Sequence, residues 1–419
     1  MMSSSATYDA IIIGGGPGGS TAGAFLGMAG RRVLLLEREV FPRFHIGESL
    51  LPFGNDVLKE SGAWPKIDAG GFQRKLGAEF FVSNGSRWQR FWFARGLVPG
   101  YGETFQVERS KFDHLLLDHA ASCGCEVRQG CPARDATRDG NEWRVKSDRG
   151  DACGRWLIDA SGRDAFLGRV LGFPRKPMNL TKRIATYAHF QGVYRNPGDA
   201  EGLITIVRLE DGWFWFIPLA EGKVSVGMVR TIDDLKRFGK TAEEWFAKTV
   251  ESSRELTRRM KNAQRVSEFY KTGDYSYHHD QMATDRALMV GDAAGFLDPI
   301  FSSGVHIATK SGQIAAGLIQ RADAEKRGLT AAEQRRYSRD VHRYMEVYRR
   351  MISMYYDNRS FEVLMHPEGR FGIVPAVTSV LAGNFHPSFN MWWRIGLFRL
   401  VCSLHRRVKI VPPLDYSQA

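Results

Sequence analysis

Tyr8-Asp9-Ala10-Ile11-Ile12-Ile13-Gly14-Gly15-Gly16-Pro17-Gly18-Gly19 decides how the rest of this chain is read. A short aliphatic run that stops at glycine predicts a buried parallel strand. The small-residue stretch Ser20 to Ala29 predicts the helix that follows, closed by Gly30, and Arg32 to Leu36 predict a second strand ending at Glu37. The unit is β-α-β. Gly14, Gly16 and Gly19 keep the spacing that lets backbone N–H groups approach a pyrophosphate at a helix N-terminus, and Pro17 suits the first helical turn. Glu37 lies about 20 residues on, where an acidic side chain accepts from ribose hydroxyls, with Arg38 beside it. A glycine turn without a ligand is the competing reading of the loop alone.

Outward from this unit, strands are expected at Leu76 to Val82 and Arg87 to Phe93, and a helix at Ser110 to Ser122. Residues 125–160 read as a meander ending in Trp156 to Asp159. Alternating apolar and aromatic residues from 183 to 230 predict antiparallel strands, including Trp213 to Pro218 and Val224 to Val229. A further buried strand, Arg286 to Val290, runs into Gly291-Asp292, a long helix begins near Gly304, and 340–419 reads as mostly helical. The fold class is α/β. A discontinuous nucleotide-binding domain (1–170 and 275–340, with part of the substrate sheet around 72–108) carries an inserted antiparallel-sheet domain at 171–274 and a helical C-terminal cap at 341–419.

The chain has 419 residues and a formal net charge of +12, with its 58 Lys and Arg spread out instead of forming a block, so nucleic acid is not expected as a partner. Five cysteines show neither an even framework nor metal spacing, which fits free thiols and no metal. No signal segment and no membrane span is read, and the expected location is the cytoplasm.

Asp292, after a buried strand, is expected at a second helix N-terminus, where it can accept from a ribityl chain. Asp159-Ala160-Ser161-Gly162-Arg163 ends another strand in the same manner. With the glycine loop, these turns resemble the FAD fold of p-hydroxybenzoate-hydroxylase-type flavoproteins, and Arg109 matches an arginine that this superfamily sets near the flavin. By itself Arg109 reads equally well as a surface arginine.

Trp213-Phe214-Trp215-Phe216-Ile217-Pro218 and Phe296-Leu297-Asp298-Pro299-Ile300-Phe301-Ser302-Ser303-Gly304 resemble the WxWxIP and FxxPxxSxG motifs of flavin-dependent halogenases, and Lys75 stands at that family's catalytic-lysine position. The resemblance runs from Tyr8 to about residue 320. It implies FAD used as FADH2, chloride or bromide, and a separate flavin reductase. Pro299 and the turn through Ser302, Ser303 and Gly304 would aim backbone N–H groups at a halide, donors that hypohalite does not consume. Trp213, Trp215 and Pro218 would pack beneath the flavin or along a tunnel wall, although Trp-x-Trp is equally a strand with one buried aromatic face. Lys75 would meet hypohalous acid as an ammonium that raises its electrophilicity or as an amine that forms a chloramine; both roles need burial, whereas an ordinary lysine is a solvated surface charge.

Tryptophan-specific relatives carry a glutamate where this chain has Phe301. A phenol or pyrrole, activated by its own heteroatom, is therefore the expected substrate. Phe44-His45-Ile46-Gly47-Glu48-Ser49-Leu50 and Asp274-Tyr275-Ser276-Tyr277 look most like that subgroup. Glu48 and Ser49 would lie at the flavin edge; an N-cap is the other reading. Subgroup members often act on aromatic rings tethered to acyl or peptidyl carrier proteins, which suits a basic chain. The basic, aromatic C-terminal segment (Trp392, Trp393, Arg394, Phe398, Arg399, His405, Arg406, Arg407, Lys409) reads as a lid over the substrate pocket, a carrier-docking face or a membrane-surface contact. Competing functions are an NAD(P)H-dependent flavin monooxygenase, a geranylgeranyl-reductase-type flavoprotein and a non-catalytic flavin-binding scaffold.

Overall fold

The computed structural model describes residues 7–178, 181–231, 233, 239–273, 276–367, 369–385 and 388–417. Asp274 and Tyr275 lie outside them.

The aliphatic runs form a parallel core because both of their faces are covered. Tyr8–Ile13 sits between Val33–Leu36 and Ala152–Asp159, all parallel. Ala152–Asp159 forks: its first half pairs antiparallel with Glu142–Ser147, and its last residues pair parallel with Ala287–Met289. Glu126–Arg128 is not part of the expected meander; it adds as a parallel strand on the far side of Val33–Leu36. Ile13 is in register with both Leu36 and Asp159, and Asp159 with Met289. Four strands thus release the chain at one edge, where open parallel sheets bind ligands.

The helix after the glycine loop starts at Pro17, three residues earlier than the small-residue run predicted, and ends at Met28. The long helix Gly304–Ala324 packs against it. Asp292 does not head that helix. It sits in a single 3-10 turn, Gly291–Ala293, and the long helix begins only after the Pro299 motif.

A second sheet holds, among the described residues, eight strands, with Gly77–Val82 parallel to Ile204–Arg208 and the rest antiparallel. Period-2 alternation splits Gly212–Pro218 between two cores. Trp213, Trp215 and Ile217 join the main core, whereas Phe214 and Phe216 face a separate cluster closed by Phe246. Phe246 comes from the helix Ala242–Glu251, which starts in a Thr241/Glu244 capping box.

The C-terminal helices are Ala331–Tyr356, Asn358–Met365, Ile373–Leu381 and Phe389–His405. The first begins ahead of its expected boundary because Thr330 and Glu333 cap it reciprocally. The last lays Met391, Ile395, Phe398 and Cys402 against its neighbours and leaves Phe389, Trp393, Leu400 and Leu404 exposed.

Candidate active site

At the carboxyl edge of the parallel sheet lies a cleft of about 940 Å³, toward the upper end of the roughly 300–1,000 Å³ of ligand sites. It runs from Glu37, Arg38 and Arg134 past the glycine loop to Trp213, Trp215, Asp298, Pro299 and the 302–304 turn. The loop is shaped by close approach. Gly14 has φ +105°, and a Cβ there would fall 2.2 Å from the Ala160 carbonyl oxygen. A Cβ on Gly19 would fall 1.9 Å from the Gly14 oxygen. Over Gly16, by contrast, the one neighbour within 4 Å among the described residues is Arg43 Nη2, at 3.7 Å, so a cationic side chain overhangs bare backbone. That combination fits a pyrophosphate.

Glu37 is buried. It accepts from Gly15 N–H (2.6 Å) and Glu39 N–H (2.9 Å) while lining the cleft. Each oxygen retains a lone pair, so the side chain shapes the loop and can also take a ribose hydroxyl. Arg38 pairs with Asp164 at the rim.

Arg109 is no surface arginine. It is 6% exposed and forms a bidentate pair with Asp113 one helical turn on (2.6 and 2.9 Å), while Nη1 donates to the Ile46 carbonyl (2.7 Å). It thereby holds the 44–49 segment against the cleft. Arg43 completes this cluster at 3.1 Å from Asp113. Arg43 was not foreseen, since nothing local in Phe41-Pro42-Arg43 marks it. Burial lifts the Asp292 carboxyl to about 6, against the pull of Arg109 and Arg163.

Glu48 and Ser49 line the cleft and cap no helix. His189, from the second sheet, sits 2.7 Å from Glu48 Oε1, while Glu48 Oε2 and Ser49 Oγ are buried without a partner among the described residues. Such orphaned atoms beside a cleft fit a polar occupant that reorders this wall on binding. Trp213, Trp215 and Ile217 face the cleft; Pro218 does not, because it falls on the opposite face of the strand. Ser302 adopts φ +57° and, with Ser303 and Gly304, lines the same end. Phe301 turns away into an aromatic nest with Tyr348 and Tyr355.

Lys75 does not line this cleft. Its strand, Gln73–Lys75, pairs with Thr104–Gln106, and Glu48–Leu50 runs along the other side of that strand. Two strand spacings, roughly 10 Å, therefore separate the Lys75 backbone from Glu48–Leu50, and the side chain reaches back toward that segment. The side chain is 1% exposed, its Nζ donates to the Leu50 carbonyl (2.8 Å) and it lies 5.2 Å from the Phe93 ring centroid. Burial pushes the ammonium down to about 7. The helix Phe389–His405 packs on Ile373–Leu381 and contributes no residue to the wall of this cleft.

Among the described residues no helix is long and apolar enough to cross a membrane, and no cluster of three or more His, Cys, Asp or Glu stands ready for a metal.

The tryptophan halogenase family profile matches residues 9–99 and 62–362. The chain is 34% identical to the 1H-pyrrole-2-carbonyl-(peptidyl-carrier protein) chlorinase of Pseudomonas fluorescens over 340 residues, covering 74% of this chain and 75% of that one. It is 34% identical to the corresponding brominase of Pseudoalteromonas luteoviolacea over 330 residues, covering 77% and 79%. The flavin-dependent brominase Bmp2 superposes with a TM-score of 0.84 at 29% identity, over 96% of this chain and 100% of that one. With a large cleft at the carboxyl edge of the sheet and a buried lysine behind its wall, the chain belongs to the tryptophan-halogenase family of flavin-dependent halogenases, enzymes that use FADH2 and halide to halogenate aromatic substrates.

Proposed function

We propose that this chain generates hypohalous acid in the cleft and delivers it to Lys75, which halogenates a phenol or pyrrole carried by an acyl or peptidyl carrier protein. The observation that carries this reading is the buried amine behind the cleft wall, hydrogen-bonded at 2.8 Å to the carbonyl of Leu50, the residue after cleft-lining Ser49, with its charge near balance at neutral pH.

Gly14, Gly16, Pro17 and Gly19 would hold the pyrophosphate of FAD, with Glu37 and Arg38 at the ribose end and Arg109, Glu48, Ser49, Asp292 and Pro299 around the ring. When bound, reduced flavin passes two electrons to O2, which with one halide ion and one proton yields hypohalous acid, water and oxidised flavin. The backbone of Ser302, Ser303 and Gly304 positions the halide without offering a side chain to oxidise. Trp213 and Trp215 fill the space by which an aromatic substrate would reach the flavin, so hydroxylation is disfavoured. In this division of the chain, 1–170 and 275–340 hold the cofactor and 171–274 supplies the sheet that walls it.

At Lys75 the ammonium form donates a hydrogen bond to the hypohalous oxygen, and the amine form takes the halogen as a haloamine. An ionisation balanced near 7 keeps both forms within reach at neutral pH. From the hydrogen-bonded acid, halogen passes to ring carbon and the displaced ring proton leaves with the hydroxide as water; from the haloamine, whose formation has already released water with an amine proton, halogen passes to ring carbon and the ring proton returns to the Lys75 nitrogen. No carboxylate stands at Phe301 to stabilise a cationic ring, so the substrate must supply its own push.

The carrier protein is read from the two pyrrolyl-carrier relatives and from the last helix. Its exposed Phe389, Trp393, Leu400 and Leu404 are flanked by Arg394, Arg399, Arg406 and Arg407, with no acidic residue between 389 and 410. FADH2 would come from a separate reductase, since the chain carries one dinucleotide fingerprint. Incubation with FAD, a flavin reductase, NADH, bromide or chloride, and free or carrier-bound phenols and pyrroles tests the proposal. Halogenated product is expected; halide-independent hydroxylation as the sole outcome would overturn it.

A further inference from the structure

Trp213, Asp298 and Tyr356 come from three distant parts of the sequence and share one hydrogen-bonded line. Asp298 is 5% exposed and occupies a variable position of the FxxPxxSxG motif. Its Oδ1 accepts from Ile300 N–H at 3.0 Å, closing the first turn of the motif, and the Ser302 N–H returns to the Pro299 carbonyl at 3.1 Å. Its Oδ2 accepts from the Tyr356 hydroxyl at 2.8 Å. That hydroxyl in turn accepts from the Trp213 indole N–H at 2.8 Å. Tyr356 is the last residue of the helix Ala331–Tyr356, and the Arg183 guanidinium lies 3.9 Å over its ring. Trp213 and Asp298 line the cleft; Tyr356 stands behind them.

We infer that Tyr356 is a positioning residue for halide: it locks the 298–304 turn to the Trp213 strand so that the turn's backbone donors hold a fixed aim. This rests on the reading of that turn as the halide site. The indole gives its proton to the phenol oxygen, and the phenol gives its own to the carboxylate. Each donor in the line is satisfied by the next acceptor, and the Oδ1 end fixes the turn directly. A carboxyl this deeply buried, lifted to about 6, is stabilised by the Ile300 and Tyr356 donors and by Arg183. Without the hydroxyl, Oδ2 is left buried without a donor and the turn loses one of its two anchors. Ser302, held at positive φ just after those anchors, is where a relaxed turn would shift first. Trp213 thereby gains a role besides packing, as the donor that fixes the direction of the Tyr356 hydroxyl.

Tyr356→Phe removes the hydroxyl and keeps the ring under Arg183. In FAD-loaded protein, the bromide and chloride dissociation constants (from the flavin absorbance change) and the halide KM in reductase-coupled turnover with a hypohalite trap are expected to rise roughly three- to tenfold. The FAD dissociation constant should stay near wild type, while the thermal midpoint falls by a few degrees because Asp298 Oδ2 loses its donor. Asp298→Asn should show the same halide shift, and the double variant should be no worse than either single one, because both break one link. Halide constants within about twofold of wild type in Tyr356→Phe, or a loss of FAD affinity in the same proportion, would overturn the inference. Gly304→Val, which puts bulk into the turn, tests the underlying reading separately. If it leaves halide affinity unchanged, the halide site lies elsewhere and the inference falls with it. If it weakens halide affinity while Tyr356→Phe does not, only the Tyr356 link is rejected.

Discussion

The flavin cleft and the Lys75 pocket are neighbours built on opposite principles. The cleft is roomy and carries charge, with Arg38, Arg43 and Arg109 on its glycine-loop side, orphaned buried oxygens in its wall and a glycine that leaves backbone bare. The lysine is 1% exposed, with the Leu50 carbonyl and the Phe93 ring against its amine. Under the proposed function the cleft holds a dianionic dinucleotide and so invests in charge, whereas the lysine site keeps an oxidised halogen from water and so invests in burial. Substitution should expose this contrast as opposite signs. In the cleft, loss of a polar or conformationally special residue weakens binding and stability, whereas in the pocket, loss of the charge strengthens the fold while ending product formation.

The largest effect is expected at Gly14. Gly14→Ala puts a Cβ into the Ala160 carbonyl at a positive φ, so FAD affinity measured by equilibrium dialysis should fall by about 100-fold or more. Near-normal affinity would show that the loop can move aside. Arg109→Met comes next: it strips the buried Asp113 of its bidentate partner and frees the 46–47 carbonyls, and chemical denaturation should report a loss of about 3 kcal/mol. Stability close to wild type would make Arg109 a bystander.

Lys75→Met should go the other way. The unfolded chain keeps this proton up to its ordinary value of 10.5, whereas the folded chain gives it up near 7. Wild-type stability therefore rises with pH across that window. At pH 7 and below the variant should be more stable by about 2 kcal/mol, net of the lost bond to Leu50, with the gain fading toward pH 10. A variant less stable than wild type at pH 7 would mean that the amine is solvated. The smallest effect belongs to the last helix, where Arg399→Glu should raise KM for a carrier-bound pyrrole by roughly threefold and leave that for a free phenol unchanged. Equal shifts for both substrates would remove the helix from carrier contact.

The β-α-β unit, the second-sheet strands and the long helix at Gly304 were legible in the sequence because each rests on a local period or a local stop. The glycine loop, Glu37, Arg109 and the 302–304 turn were legible as motifs, and the structure brings them to one cleft. What the sequence concealed depends on residues meeting across long separations. Arg43 reaches Asp113 and overhangs Gly16, His189 reaches Glu48, and Tyr356 reaches Asp298; none has a signal at its own position. Asp292 was misplaced because Val290-Gly291 reads as a strand meeting a helix, whereas Gly295-Phe296 interrupts with a short strand before the helix begins. Pro218 was misplaced for a simpler reason: strand parity puts it opposite Trp213 and Trp215.

The separation of the two chambers is the central claim, and Lys75→Ala tests it most directly. Wild type and variant are loaded with FAD and compared in reductase-coupled turnover with halide, following flavin reoxidation, hypohalite released to a trap and halogenated aromatic product together. The account predicts unchanged FAD binding and reoxidation, trapped hypohalite, and no halogenated substrate above the level produced by free hypohalite. Product formation at the wild-type rate, or flavin reoxidation that fails together with product, would contradict it.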